Sequence, residues 1–197
     1  FTGVLDFSTN ELVANNFGGL HVAKDRRMEA ALENGVPTVV APGAANIIVL
    51  SREEALQSKY DDRQKYYHNP NITLVNTTRE ELRVIARTFA NKLNKSKGKV
   101  RFLYPAQGFC SQDKKELALW NPEGNPVFLK ELKQNLRKDI PIIEVEFHIN
   151  DDEFTNEKGN LSMKHRERVE MALNHEVPDR IPYQATFTPE FADRLRK

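Results

Sequence analysis

A short apolar run, Pro37-Thr38-Val39-Val40-Ala41, stops abruptly at Pro42-Gly43 and constrains the fold more than any other stretch. Because the run has no polar alternation, it predicts a strand buried on both faces, as in a parallel sheet covered by helices. Ligands of such sheets bind beyond the carboxyl ends of the strands. The small residues Gly43 and Ala44 would let backbone N–H groups approach an anion, and they equally fit a plain strand-to-loop turn.

Strand and helix patterns alternate on both sides of this run. The most periodic helix follows Thr78 and Glu81, which have the spacing of a capping box, and Ser8 and Glu11 repeat that spacing near the start. This cadence predicts an α/β fold: a Rossmann-like parallel sheet with helices on both faces, a three-layer sandwich, plus a C-terminal helical extension. The predicted strands are 3–5, 37–43, 72–75, 100–104 and 140–147, and 47–50 is either a further strand or a buried loop.

The composition excludes several classes of protein. Lys plus Arg number 29 against 28 for Asp plus Glu, so a dedicated nucleic-acid surface is not expected. Cys110 is the only cysteine, which excludes an intramolecular disulfide and favours a reducing, cytoplasmic location. No apolar run approaches the roughly 20 residues that a membrane span needs.

Small and polar residues follow three of the predicted strands, at Ser8-Thr9, Gly43-Ala44 and 108–111. These strand ends would form one crevice if they share an edge of the sheet. The plainer interpretation is that Ser8 and its neighbours cap a helix that ends at Gly18-Gly19. Cys110 beside Ser111 suggests a nucleophile, but a lone cysteine is more often buried and inert, and no catalytic residue is assigned.

Two further stretches are ambiguous. Residues 51–71 are polar and aromatic and form a long connection, which fits a ligand lid, a surface excursion or a dimer contact. His148 and Asp151 are three apart and would both reach a metal, yet a third ligand must come from elsewhere. Local capping by Asp151 is the simpler interpretation, and no metal is predicted.

Four segments of the chain form a recognisable set. They are Gly3-Val4-Leu5-Asp6-Phe7-Ser8-Thr9-Asn10-Glu11-Leu12, Pro42-Gly43-Ala44, His68-Asn69-Pro70-Asn71-Ile72-Thr73 and His148-Ile149-Asn150-Asp151. In this order they resemble one family, the ATP-binding proteins related to the plant tobamovirus-resistance protein. The resemblance covers about residues 1–154 and implies ATP as ligand, a missing N-terminal half of the same protein as partner, and a homo-oligomer such as a dimer. The strand ends, the helix end and the resemblance together select the candidate ligand-binding residues. These are Ser8, Thr9, Asn10, Glu11, Gly18, Gly19, Gly43, Ala44, His68, Asn69, Gly108, Ser111, His148 and Asp151.

The end of the chain carries a second resemblance. Met163-Lys164-His165-Arg166-Glu167-Arg168-Val169 and Pro178-Asp179-Arg180-Ile181-Pro182 are similar to the opening of the uroporphyrinogen decarboxylase-like family, a barrel fold. We therefore expect an α/β domain over 1–157, a linker over 158–162, and a helical tail over 163–197 that implies a barrel-type partner domain.

Three functions follow as hypotheses. The first is a nucleotide-binding or regulatory half-domain with its ligand at the strand ends, although no Gly-x-x-x-x-Gly-Lys-Ser/Thr loop is present. The second is an accessory component of a methyl-transfer or one-carbon enzyme system, suggested by the tail. The third is a structural interaction or dimerisation module that uses residues 51–71. The residues assign no reaction.

Overall fold

A computed structural model describes residues 3–152 and 154. They belong to the first of the two units into which the chain divides, Phe1–Glu157. The predicted linker and helical tail fall in the second unit, Lys158–Lys197, and lie outside the described residues. The elements of the described part are β1 (Val4–Ser8), α1 (Asn10–Phe17), α2 (Glu29–Glu33), β2 (Thr38–Gly43), β3 (Ile47–Ser51), β4 (Lys65–Tyr67), β5 (Ile72–Asn76), α3 (Arg79–Leu93), β6 (Val100–Pro105), α4 (Asn125–Asn135) and β7 (Ile142–Val145).

The main sheet is parallel, with the strand order β1-β2-β6-β7. The apolar run at 38–43 forms β2, an inner strand, as its lack of polar alternation predicts. On one face Val40 and Phe102 are fully buried, and the ring centroid of Phe102 lies 5.7 Å from that of Phe89 in α3 and 6.1 Å from that of Phe128 in α4. The predicted Rossmann-like α/β class is confirmed.

The opposite face of this sheet is covered by the segment that follows β7. Ala41 and Val145 are buried there, and the ring of Phe154 meets that of Phe7 edge to face, with centroids 5.8 Å apart. Alternate residues of β2 and β6 thus enter two different cores, because successive side chains of a strand point to opposite faces.

A second, antiparallel sheet has the order β3-β5-β4. Residues 47–50, which the sequence left open, form its first strand. Ile48 and Leu50 face the helices, whereas Ile47 and Val49 pack with Cys110 and Leu119. A strand buried on both faces shows no alternation in either kind of sheet, so its sequence does not reveal its direction.

Only one of the two predicted capping boxes forms. At α3 the Thr78 hydroxyl accepts from the Glu81 N–H, and the Glu81 carboxylate accepts from the Thr78 N–H. The box predicted for Ser8 and Glu11 is wrong, because Ser8 is still in β1, paired with Gly43, and Thr9 stands at the helix start without a side-chain cap. Pairing with β2 keeps Ser8 in β1, so the helix begins later than the capping pattern predicted.

Candidate functional site

A cavity of about 450 Å³ opens beyond the carboxyl ends of β6 and β7. The chain that leaves β6 stays beside the chain that leaves β7, since the Ala106 N–H donates to the Val145 carbonyl over 2.8 Å and the Ile149 N–H donates to the Gly108 carbonyl over 3.2 Å. This is the edge of the sheet at which ligands of parallel α/β proteins bind. The lining residues are Ala106, Gln107, Lys114, Lys115, Trp120, His148 and Asp151.

His148 forms the floor of the cavity and is 1% exposed. Its Nδ1 accepts from the Asn150 N–H over 3.1 Å, so Nε2 carries the proton and donates to the Cys110 carbonyl over 2.9 Å. Burial lowers the pKa of His148 below its usual range, with Lys114 nearby acting in the same direction. His148 is therefore a neutral, doubly hydrogen-bonded side chain that shapes the wall and has no free nitrogen to act as a base.

Gly108 allows this ring to approach the backbone. Its φ is +135°, and a Cβ added there would lie 2.7 Å from His148 Cδ2 and 2.0 Å from the Asp113 carbonyl oxygen. Only glycine fits both the left-handed backbone and the close approach. The sequence prediction chose Gly108 as a ligand contact, and the structure gives it a packing role beside the cavity.

The charged side chains of the cavity are unevenly paired. Asp151 accepts from the His148 N–H over 2.9 Å through Oδ2, and its Oδ1 lies 2.9 Å from Lys114 Nζ. Lys114 holds the pKa of the Asp151 carboxyl below its usual range. Lys115 is exposed and makes no ion pair with any residue of the described part of the chain. One lysine is thus committed to a carboxylate while the other has its charge available to an incoming anion.

Trp120 adds an aromatic surface to this cationic edge. It is the single tryptophan of the chain and is 39% exposed. Because large aromatic side chains are usually buried, a tryptophan left half-open at a cavity mouth offers a flat face on which a planar ligand can stack.

The ends of β1 and β2 lie close to each other, and their polar groups are hydrogen-bonded within the protein. Thr9 Oγ1 donates to the Gly43 carbonyl over 3.2 Å, and Asn10 Nδ2 donates to the carbonyls of Ala44 and Ile47, each over 2.8 Å. The Ala44 N–H, which we considered as an anion donor, donates to the Phe109 carbonyl over 2.7 Å. These groups hold the strand ends together, and none of these donors points to an empty space.

An ion cluster that the sequence did not predict lies at the end of β1. Arg27 pairs with both carboxylate oxygens of Asp6, its Nε lies 3.2 Å from Glu11, and it donates to the Ser8 carbonyl over 3.0 Å. Hydrogen bonding to Asp6 raises the pKa of Arg27 further above its already high value. Arg27 lies 21 positions beyond Asp6, too far for any local spacing rule to pair the two.

Other candidate residues lie away from the cavity lining. Gly18 and Gly19 end α1, the opposite end of that helix from Thr9. His68 and Asn69 form the turn between β4 and β5, which the register places beside Ser51, the end of β3 farthest from Ile47. Ser111 is exposed, and burial raises the pKa of the neighbouring Cys110 to about 11. Of the fourteen candidates only His148 and Asp151 line the cavity.

Sequence reasoning missed five of the seven described residues that line the cavity. Ala106, Gln107, Lys114, Lys115 and Trp120 all come from residues 106–124, which contain no strand or helix that the structure describes. The available signal was the adjacent lysine pair in the long connection that follows a buried strand, since long connections often carry function.

Over 3–152 and 154 no three His, Cys, Asp or Glu side chains come together as a metal site would require. Within that range, no helix combines the length and the apolar character that a membrane crossing demands.

Fold and cavity define a Rossmann-like α/β domain with a polar, aromatic-lined pocket at the carboxyl ends of its strands. Residues 1–164 match the model of the uncharacterised protein family UPF0261, C-terminal domain. The chain belongs to this family.

Relatives extend well beyond the matched domain. A UPF0261 protein of Clostridium tetani is 34% identical over 153 residues, 77% of this chain and 38% of the relative. A UPF0261 protein of Rhizobium meliloti is 35% identical over 155 residues, 78% of this chain and 39% of the relative. The tomato ToMV resistance protein Tm-1 of Solanum lycopersicum is 29% identical over 156 residues, 78% of this chain and 21% of the relative. The chain therefore spans well under half the length of these relatives and corresponds to the C-terminal domain of the family.

Proposed function

We propose that this domain binds a nucleotide of the ATP type in the cavity at the ends of β6 and β7. The observation that carries the proposal is the meeting of an unpaired lysine, Lys115, with the half-exposed Trp120 at one cavity mouth. A phosphate group binds to the cation, and a base stacks on the aromatic face. The resemblance to an ATP-binding family points in the same direction.

The size and polarity of the cavity agree with this ligand class. Its volume of about 450 Å³ falls within the roughly 300–1,000 Å³ that is usual for small-molecule sites. Gln107 adds an amide at the wall, although its Nε2 already donates to the Glu146 carbonyl over 2.8 Å, which leaves its oxygen to accept from a ligand. The pocket lacks a glycine-rich phosphate loop, so affinity would depend on side chains more than on backbone N–H groups.

Calorimetric titration of ATP tests the proposal, first with this chain and then with a two-part protein of the family. Lys115→Gln should weaken binding about tenfold, the loss expected when one charge-assisted hydrogen bond is removed. Lys138→Gln, which neutralises an exposed lysine beyond α4, is the matched control and should bind as the unchanged chain does. Absence of heat with both proteins would remove nucleotide binding as the function.

A contact module is the second candidate, and one observation favours it. Leu56 and Tyr67, both within 51–71, are 67% and 54% exposed. Exposed apolar side chains of this size on a long connection are typical of protein contacts. Sedimentation of a Leu56→Ser, Tyr67→Ser variant tests it, and an oligomeric state that matches the unchanged chain counts against a contact here.

The methyl-transfer alternative depends on residues 163–197, which lie outside the described residues, and it stays a prediction. So do the cytoplasmic location and the homo-oligomer. A complete barrel domain following this segment in a natural protein would support the methyl-transfer alternative.

A further inference from the structure

One loop supplies most of the cavity wall, and that loop has little regular structure to hold it. Residues 106–124 contribute Ala106, Gln107, the two lysines and the tryptophan, and the remaining lining residues within the described part of the chain are His148 and Asp151. A binding site needs its side chains held within a fraction of an ångström of the productive geometry. Some group must therefore fix the loop.

Asp113 is buried in the middle of this loop and is 1% exposed. Its Oδ2 accepts from the Phe109 N–H over 2.9 Å and from Asn125 Nδ2 over 2.7 Å, while its Oδ1 accepts from the Asn121 N–H over 2.9 Å. Three points of the chain, namely the start of the loop, the residue after Trp120 and the first turn of α4, thus converge on one carboxylate.

The residues next to these contacts along the chain carry the side chains that line the cavity. Lys114 and Lys115 follow Asp113 directly in the chain, and Trp120 directly precedes Asn121. The carboxylate therefore sets the separation between the cationic and aromatic parts of the wall. A neutral side chain of the same shape has one acceptor oxygen and so cannot receive all three donors.

We propose that Asp113 is the positioning residue of this site: its carboxylate holds Lys114, Lys115 and Trp120 in the arrangement that receives the ligand. The expected effect on ligand affinity rests on the proposed function, whereas the expected effect on the position of Trp120 does not. If Asp113 only stabilised the fold, its replacement would lower the free energy of unfolding without moving Trp120.

Asp113→Asn in the full chain separates these two roles. Trp120 is the single tryptophan, so its emission and its quenching by acrylamide report on the loop without any ligand. We expect emission at longer wavelength and stronger quenching, with the far-ultraviolet circular dichroism unchanged. ATP affinity should fall about tenfold, as for loss of a buried hydrogen-bond partner. Asp62→Asn, on an exposed aspartate, is the control and should leave all of these values unchanged.

Asn125→Ala covers the case in which Asp113→Asn does not fold, because it removes a single donor from the same carboxylate. Its Trp120 signal should move in the same direction by a smaller amount. Folded variants with unaltered Trp120 emission and quenching would overturn the positioning role. A displaced Trp120 with undiminished ATP affinity would overturn the link between loop and ligand. A displaced Trp120 in a chain that binds no ATP would support the positioning role while the proposed function falls.

Discussion

Exclusion of water shifts the proton affinity of three side chains around the cavity. It lowers the pKa of His148, raises that of Cys110 to about 11, and raises that of Asp113. In each case burial disfavours the charged form. The three groups are neighbours, since the Cys110 carbonyl accepts from His148 Nε2 over 2.9 Å and from the Asp113 N–H over 2.8 Å. Their titration therefore reports on whether this part of the molecule stays closed to water.

His148 should make stability pH-dependent below neutrality. Its pKa is about 6.5 when unfolded and lower when folded, so the unfolded chain binds a proton in a range where the folded chain does not. The free energy of unfolding must then fall as pH drops through about 6.5 toward the folded pKa. His148→Gln should flatten this fall in urea unfolding measured between about pH 7.5 and 5.5.

The control is Asn71→Gln, in an exposed turn, which changes no titratable group and should keep the slope of the unchanged chain. Asp113 has the opposite sign, since a raised carboxyl pKa removes stability as pH rises above 3.8. Asp113 is present in both the unchanged chain and the His148 variant, so its main contribution, which burial causes, cancels in the difference between them. Identical slopes in the His148 variant and the unchanged chain would contradict the predicted linkage.

Cys110 should be inert in the folded protein. Burial raises its pKa to about 11, and the thiolate is the reactive form. We expect negligible alkylation by iodoacetamide at pH 8 in buffer and rapid alkylation in urea, measured by mass spectrometry. The unfolded chain is its own control, and fast labelling of the folded chain would restore the nucleophile interpretation.

At the scale of single elements, α1 and α3 show how an identical spacing leads to different structures. Thr78 and Glu81 form a capping box at α3, whereas Ser8 belongs to β1 and Glu11 pairs with Arg27. A capping box needs an N-cap residue that is free of a ladder. At the first site Ser8 pairs with β2 and Glu11 pairs with Arg27, so the capping box does not form.

Removal of the two hydroxyls should therefore have unequal effects. Thr78→Ala should lower the free energy of unfolding by about 1 kcal/mol, and Ser8→Ala by less than about 0.5 kcal/mol, as for an ordinary exposed position. Urea unfolding measures both, with Thr78→Ser as the control that keeps the hydroxyl. Equal losses in the two alanine variants would show that a cap forms at Ser8 after all.

At the scale of the whole described domain, the parallel and antiparallel sheets are joined by the side chain of Asn10. It is 5% exposed, donates to the carbonyls of Ala44 and Ile47 on either side of the turn from β2 to β3, and accepts from His21 over 3.0 Å. Because its amide group is the donor to both carbonyls, its oxygen is the acceptor, which fixes the proton on His21 Nδ1. One amide thus determines where the chain leaves the first sheet and enters the second.

Asn10→Ala should lower the free energy of unfolding by about 2–4 kcal/mol, because two carbonyls lose their buried donors. Asn10→Asp should cost at least as much, since a carboxylate cannot donate to either carbonyl. Guanidinium unfolding monitored by circular dichroism measures both, and Asn91→Ala on the exposed side of α3 is the control. A loss below about 0.5 kcal/mol for Asn10→Ala, within the range of surface changes, would contradict this linking role.

The sequence alone determined the class of fold, because that class follows from local patterns. An unalternated apolar run at 38–43, a mostly apolar run at 100–104, a periodic helix after Thr78 and glycines at the helix ends each depend on neighbours along the chain. The structure agrees with these patterns. The location of the pocket at the carboxyl ends of the strands also follows from this class. The family resemblance, carried by short segments of residues, is likewise a property of the sequence alone.

Only the tertiary structure decided which residues meet. The direction of β3 was undetermined, because a strand buried on both faces looks the same in parallel and antiparallel pairing. Arg27 reaches Asp6, and Asp113 gathers Phe109, Asn121 and Asn125, through contacts that no periodicity encodes. The cavity wall came from a loop without repeating pattern, where hydrogen bonds to a buried carboxylate take the place of secondary structure. Such contacts depend on which side chains the packed sheet brings together, and that is a property of the folded molecule.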